Sequence, residues 1–580
     1  MLSLRGVFRM RPVADTWRRS AVSGVIAVGV PAVVLLLTGH LPLAFFTAAG
    51  GLCAAYAHGL PYVARGRALG WVLLGMLAGT GIALTTAALT TSAVVRVLVL
   101  ALLAGLFKLV CDASRIGPPG NVIFTFIAAA AGFLPVRLAD IPAHLLLVLC
   151  GGALAWLVCM APALVRPHDP ERFAVSRALA ATARLLRLSA DGGANGAARA
   201  RAEYDATALT HAAWRTVRLV PTPSVGRAAE ITALIRLLVR AESLAAAVQI
   251  ADRPAQPVRP YVPPGWERGW LGVGADTAQW CESRSTASRS ADADLLDGWS
   301  RQLRTRHAVP VLDGDVLAPV RRRSIGARRG ESGVRRVIRA FRPSSPGFQI
   351  ALRVAVGAAL AGLLSVALGV NRPYWAVMTA AVLVVANTSQ SWHRTVQRVL
   401  GSLVGLGLFT VLVPVMHSQA GLVALSLICY LALEATISRN YWVASIFVTP
   451  MSLVMVQFAG RLPSGHLALD RWIDTCMGAV VAVLICFTVP NRRAESRVAI
   501  ALRELDAVLA HTQAAPAQAR ADRGVRERVA AALVELRDAA DIATGEWWSV
   551  EAPQERIIAS ERAGHRLLAQ LPVRTAAAAR

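Results

Sequence analysis

The sequence predicts an all-α polytopic membrane protein: two six-helix transmembrane halves, a cytoplasmic helical domain between them and a helical cytoplasmic tail. Three observations carry that expectation. Of 580 residues, 55% are hydrophobic and mean hydropathy is +0.50, too apolar for a chain that must keep a polar surface in water. Twelve apolar runs, each of about 17 to 25 residues, are long enough for a helix to cross a bilayer. The arginines between those runs are concentrated on one side of the membrane.

Residues 1–19 form a basic N-terminus with Arg5, Arg9, Arg11, Arg18 and Arg19. The run behind it has the charge order of a signal peptide, but it is long and lacks an A-x-A exit, so it is expected to remain as the first membrane helix. Residues 20–165 hold six runs, at roughly 20–38, 42–61, 68–90, 92–111, 120–136 and 142–165. Residues 166–347 are polar and arginine-rich. There Leu179, Leu185, Leu186 and Leu188, then Ile231, Leu234, Ile235 and Leu238, recur at helical spacing, and Pro254, Pro257, Pro260, Pro263 and Pro264 mark an extended linker. Residues 348–490 hold six more runs, at roughly 349–369, 373–391, 395–416, 419–438, 441–459 and 471–489. In the tail, 491–580, Val498, Leu502, Leu505 and Leu509, then Val525, Val529, Leu533 and Leu536, predict an amphipathic helical hairpin.

Arg18 and Arg19, Arg65 and Arg67, Arg115, Arg166, Arg394 and Arg398, Arg439, and Arg492 with Arg493 all fall on one side. Only Arg137, Arg372, Arg461 and Arg471 lie near the other. The arginine-rich side is expected to be the cytoplasm, which places both termini and the middle domain there and the chain in the plasma (inner) membrane. The net charge of +26, from 61 basic and 35 acidic residues, follows from the same arginines, Lys108 being the only lysine. A nucleic-acid partner is set aside, because no helix-turn-helix, finger or RNP pattern accompanies the charge. Nine arginines between Arg321 and Arg342 face one acid, Glu331. That cluster reads as an anchor to the anionic inner leaflet or as a regulatory anion site. Seven of the eight cysteines fall in or beside apolar runs with no C-x-x-C pair, so they read as buried thiols.

The halves read as repeats. An offset of 331 places His40-Leu41-Pro42 on Asn371-Arg372-Pro373, Arg67 on Arg398 and Gly70 on Gly401, and an offset of 324 places Ser114-Arg115 on Ser438-Arg439. Two even-numbered sets that both start inside make a parallel repeat, related by an axis along the membrane normal.

Charges and breaks in the second half are the candidates for chemistry. Pro373 opens an apolar run, a position where its missing N–H does no harm, and Tyr374 and Trp375 follow at expected interface depth. Arg353, then Pro373-Tyr374-Trp375, Thr379, Ser389, Arg398, Gly401 and Gly405 resemble the core of the fusaric acid resistance and aromatic acid exporter family. Arg471, Asp474, Thr475 and Gly478 match that family's R-x-x-D-T-x-x-G opening of the last helix. The resemblance implies export of small, often aromatic, carboxylic acids, with periplasmic adaptors as partners in Gram-negative relatives; a homo-oligomer stays open. The substrate-pathway candidates are Arg353, Tyr374, Trp375, Thr379, Arg394, Arg398 and Arg471. Arg353 either snorkels to the inner surface or lines the pathway. Arg394 and Arg398, one turn apart, either receive a carboxylate at the inner mouth or follow the positive-inside rule. Arg471 and Asp474, at i, i+3, either pair or serve separate roles. Asp474 and Glu434 are the proton-coupling candidates, pairing with Arg439 being the alternative for Glu434. Lys108 and Asp112 form a structural i, i+4 pair. No phosphate-binding loop, H-E-x-x-H or G-x-S-x-G pattern occurs, and His40, His58 and His144 are too scattered for a metal site. The expectation is therefore a transporter without cofactor or metal, driven by the proton gradient, rather than an enzyme. A passive anion channel and a non-transporting scaffold are the rivals.

Overall fold

Each of the two sets of apolar runs opens with a helix closed by the same device. Gly39 and Gly369 take φ of +77° and +71°, a conformation open to a residue without Cβ, and the next N–H in each case turns back to a carbonyl five residues earlier, His40 to Leu35 and Val370 to Ser365. In the computed structural model the described residues are 7–8, 10, 17–191, 196–220, 225–251, 286–305, 309–310, 333–343, 345–385, 388–458, 464–489, 493–516, 523–543 and 554–571. Among them all regular structure is helical.

The first set comprises α1 (Trp17–Leu37), α2 (Ala44–Gly51), α3 (Tyr62–Leu89), α4 (Ala93–Ser114), α5 (Val122–Ala131) and α6 (Ile141–Met160). Residues 168–328 contain α7 (Asp169–Ala190), α8 (Gly196–Arg218), α9 (Val225–Ala251) and α10 (Thr286–Arg304). A short α11 (Gly333–Ala340) precedes the second set: α12 (Pro346–Ala367), α13 (Tyr374–Leu383), α14 (Thr388–Leu412), α15 (Gln419–Ile437), α16 (Tyr441–Phe458) and α17 (Ser464–Thr488). The tail holds α18 (Arg493–Ala514), α19 (Arg523–Ala543) and α20 (Gln554–Gln570).

Nine helices among the described residues are long and apolar enough to span a membrane, while α2, α5 and α13 are not. At 1.5 Å per residue, ten residues reach about half of a 30 Å hydrocarbon core. The reason these runs stop short is legible in their packing. Every residue of α2 and of α13 is buried in protein, so neither meets lipid, and their broken ends are satisfied from inside. After α13, the N–H of Val385 donates to Ser391 Oγ (3.1 Å); Thr388 Oγ1 and Arg353 Nη2 both donate to Cys486 O near the end of α17 (3.5 and 3.4 Å). After α2, Arg65 donates to Ala57 O (3.2 Å), His58 O (2.6 Å) and Cys159 O (3.4 Å).

The two sets share one packing pattern. In the first, α1 packs on α2 and α6, α2 on α6, α3 on α5 and α6, and α4 on α5; in the second, the same contacts join the helices at the same ordinal positions. Across the sets, α1 meets α15 while α4 meets α12, and α2 meets α16 while α5 meets α13. Gly401 of α14 lies where α16 comes closest: an added Cβ would collide with Trp442 O and stand 2.5 Å from Ser445 Cβ. Gly401→Leu should destabilise the protein by about 1–3 kcal/mol through overpacking, read as a lower thermal midpoint, and an unchanged midpoint would refute this close contact.

The described residues of 1–167 and 329–493 form one compact unit; those of 168–328, 494–543 and 554–571 form the other. The tail, expected as a region by itself, therefore belongs with the middle segment. Leu179, Leu185, Leu186, Leu234, Ile235 and Leu238 are buried, as are Val498, Leu502, Leu505, Leu509, Val525, Val529, Leu533 and Leu536, which agrees with their helical periodicity. Arg526 Nε pairs with Glu242 (3.3 Å), whose other carboxylate oxygen accepts from Trp214 Nε1 (2.8 Å), and Tyr204 Oη donates to Asp538 (3.0 Å). The proline linker and Arg321 to Arg329 with Glu331 lie outside the described residues.

Candidate functional site

About 10 Å along its axis α17 presents Arg471 and, three residues on, Asp474, both 0% exposed. Their spacing permits an ion pair, yet the two side chains go to different partners. Arg471 Cζ stands 3.8 Å from the ring centre of Trp375 on α13. Asp474 Oδ1 accepts a 2.6 Å hydrogen bond from Ser365 Oγ on α12. Gly478, one turn further, lets α13 lie against α17, since an added Cβ would stand 2.8 Å from both Ala376 O and Thr379 Cβ. Trp375 and Thr379, at i, i+4, thus face the same helix that carries the charges.

The electrostatics are unbalanced. Removing a guanidinium from water costs several kcal/mol even after relaxation, while a desolvated cation–π contact returns about 2 kcal/mol. Nε, Nη1 and Nη2 of Arg471 are buried without a hydrogen-bond partner among the described residues, as are Asp474 Oδ2, Trp375 Nε1 and Thr379 Oγ1. Arg398 of α14, also buried, acts on Arg471 as a second positive charge. Asp470 acts on Asp474 and Tyr374, and Arg372 on Tyr374, so three guanidinium groups stand against two carboxylates and leave one positive charge in excess. An apolar, π-rich wall adjoins these groups: Trp375 lies 4.8 Å from Tyr374 and 6.3 Å from Phe126 of α5, and Tyr374 lies 5.4 Å from Phe133.

The other sequence candidates are distributed as follows. Tyr374 and Trp375, expected at the membrane interface, are buried instead, because α13 is a half-length helix enclosed by α5, α12 and α17. Arg353 does not snorkel; it is 2% exposed and ties α12 to the carbonyl of Cys486. Arg394 and Arg398 do not share one environment: Arg394 is exposed, with its guanidinium 5.9 Å from the Tyr441 ring, whereas Arg398 one turn deeper is enclosed. Glu434 sits on another seam, beside Tyr430 and Ser20 of α1, away from the α12, α13 and α17 junction. Lys108 and Asp112 form their expected ion pair at 2.8 Å. Ser365, Phe126 and Phe133 were not legible as site residues, and neither was Arg65, which secures the break after α2. Among the described residues no three His, Cys, Asp or Glu side chains are grouped as for a metal.

Residues 359–485 match the family described as fusaric acid resistance protein-like, a span that includes Ser365, Trp375, Arg398, Arg471 and Asp474 but not Arg353. An uncharacterized membrane protein of Bacillus subtilis, YvaC, is 22% identical over 94% of this chain and 83% of its own length. The inner membrane protein YccS of Escherichia coli is 26% identical over 25% of this chain, which spans only 20% of that protein's length. No solved structure matches the chain.

Proposed function

We propose, on the premise that residues 359–485 belong to the fusaric acid resistance protein-like family of membrane proteins, that this chain exports small organic acids, aromatic carboxylates among them, at the expense of the proton gradient. The observation that carries this reading is the fully buried Arg471 guanidinium, held over Trp375 with its three nitrogens unpartnered among the described residues. Arg471 is the receptor for the carboxylate, Arg398 supplies the second positive charge, and Tyr374, Trp375, Phe126 and Phe133 receive the ring. Asp474 carries the proton, in a position fixed by Ser365. Arg353 ties α12 to the end of α17 through the carbonyl of Cys486 rather than meeting substrate. The shared packing of the two helix sets, the paired glycine caps and the paired short helices α2 and α13 support an internal repeat about an axis along the membrane normal, with the site in one half only.

Both termini and the helical unit are cytoplasmic in this reading, because the arginine-bearing loops share their side. A cysteine at exposed Ala200 should resist an impermeant maleimide added to intact cells and react once they are opened; labelling in intact cells would reverse the orientation.

Flux of radiolabelled benzoate in proteoliposomes tests the function. Export should exceed equilibrium under an imposed proton gradient and collapse with an uncoupler. Flux that survives the uncoupler unchanged would make the chain a passive anion channel, and no flux above protein-free vesicles would leave it a scaffold.

A further inference from the structure

α11 and the turn after it have three chemically distinct sides. Val334, Ile338 and Phe341 recur at i, i+4 and i+7 on one side and are 55%, 65% and 47% exposed. Arg335, Arg336, Arg339 and Arg342 occupy the adjoining side. The third side is anchored: Ala340 is buried in a small cluster with Leu109 and Ala351, against which Ala113 and Phe348 pack. Those residues belong to the end of α4 and the start of α12, two of the membrane-length helices. The anchor therefore fixes α11 at the level where two spans leave the hydrocarbon.

Three large apolar side chains this exposed, on a helix of eight residues and the turn after it that also carry arginines, are costly in water. At a lipid–water boundary the same arrangement is that of a helix lying in the plane of the membrane. We propose that α11 is a docking helix for anionic phospholipid of the leaflet it borders. Val334, Ile338 and Phe341 sink into the acyl boundary, and the arginine side faces the phosphodiester headgroups of acidic lipids, which it attracts by charge and by charge-assisted hydrogen bonds. Charge complementarity selects the occupant: a zwitterionic headgroup offers no net charge to the arginine side. This proposal does not rest on the export reading, and it holds whether the chain is a transporter, a channel or a scaffold.

The test uses the full-length protein in neutral detergent, titrated with headgroup-labelled phosphatidylglycerol and phosphatidylcholine. Phosphatidylglycerol should bind more tightly, with a preference that falls as salt rises. Each Arg→Gln change among the four should lower that preference by about fivefold, so the quadruple Gln variant loses it while a quadruple Lys variant keeps most of it. Ile338→Ser with Phe341→Ser should weaken both lipids alike. If the quadruple Gln variant does not fold, Arg339→Gln and Arg342→Gln taken singly give the same reading. Equal affinity of the parent for the two lipids, or a preference undiminished by the Gln changes, would overturn the proposal. Competition by inorganic phosphate as strong as that by phosphatidylglycerol would also overturn it, by making the site one for free anions.

Discussion

Arg471→Gln should lower the affinity of the purified protein for benzoate by about 30-fold to several thousand-fold, the equivalent of losing about 2–5 kcal/mol from a desolvated charge pair. Its effect on the empty protein should have the opposite character. Because the guanidinium is buried with no hydrogen-bond partner among the described residues, deleting its charge removes a desolvation cost, and the thermal midpoint should hold or rise. Arg471→Lys should fall between, since an ammonium keeps the charge but not the planar fork that meets a carboxylate with two parallel bonds. A purely structural arginine predicts the reverse: lower stability and, per folded molecule, unchanged binding.

Asp474→Asn should abolish export against a gradient while benzoate binding stays within about threefold of the parent. The amide retains an oxygen for the Ser365 hydroxyl to donate to, so the α12 to α17 link survives, but it cannot take up and release a proton. Glu434→Gln should leave uphill export at the parent rate, because Glu434 belongs to the seam with α1. Uphill export retained by Asp474→Asn and lost in Glu434→Gln would transfer the proton to that seam.

The order of apolar elements was legible in the sequence, whereas the length of three of them was not. Hydropathy counts apolar residues; it does not distinguish a span facing lipid from a half-length helix enclosed by protein. The breaks nevertheless left traces. The run read as 373–391 contains Asn387-Thr388-Ser389-Gln390-Ser391, of which Ser391 satisfies the broken end through Val385 N–H and Thr388 bonds the carbonyl of Cys486 on α17. The run read as 42–61 contains Tyr56-Ala57-His58-Gly59, and there Arg65, assigned to an inner loop, supplies the bonds. At the site, Arg471 and Asp474 were legible as one helix face because their spacing is local, while Gly478 came only with the family resemblance. Ser365 lies 109 residues from Asp474 in the chain, and Phe126 comes from the other helix set, so no local period could point to either. Tertiary packing also explains why Arg394 and Arg398 part company, since one helical turn separates an exposed collar from an enclosed seam.

The export reading places a bound carboxylate at Arg471 with its ring against α13. A photoreactive azidobenzoate, activated in the full-length protein and mapped by peptide mass spectrometry, reads that location directly. Modification should fall within 374–383 or on the adjoining Phe126 segment, be suppressed by excess benzoate and be absent in Arg471→Gln. Modification confined to the Glu434 and α1 seam or to the neighbourhood of Arg394, unaffected by Arg471→Gln, would contradict it.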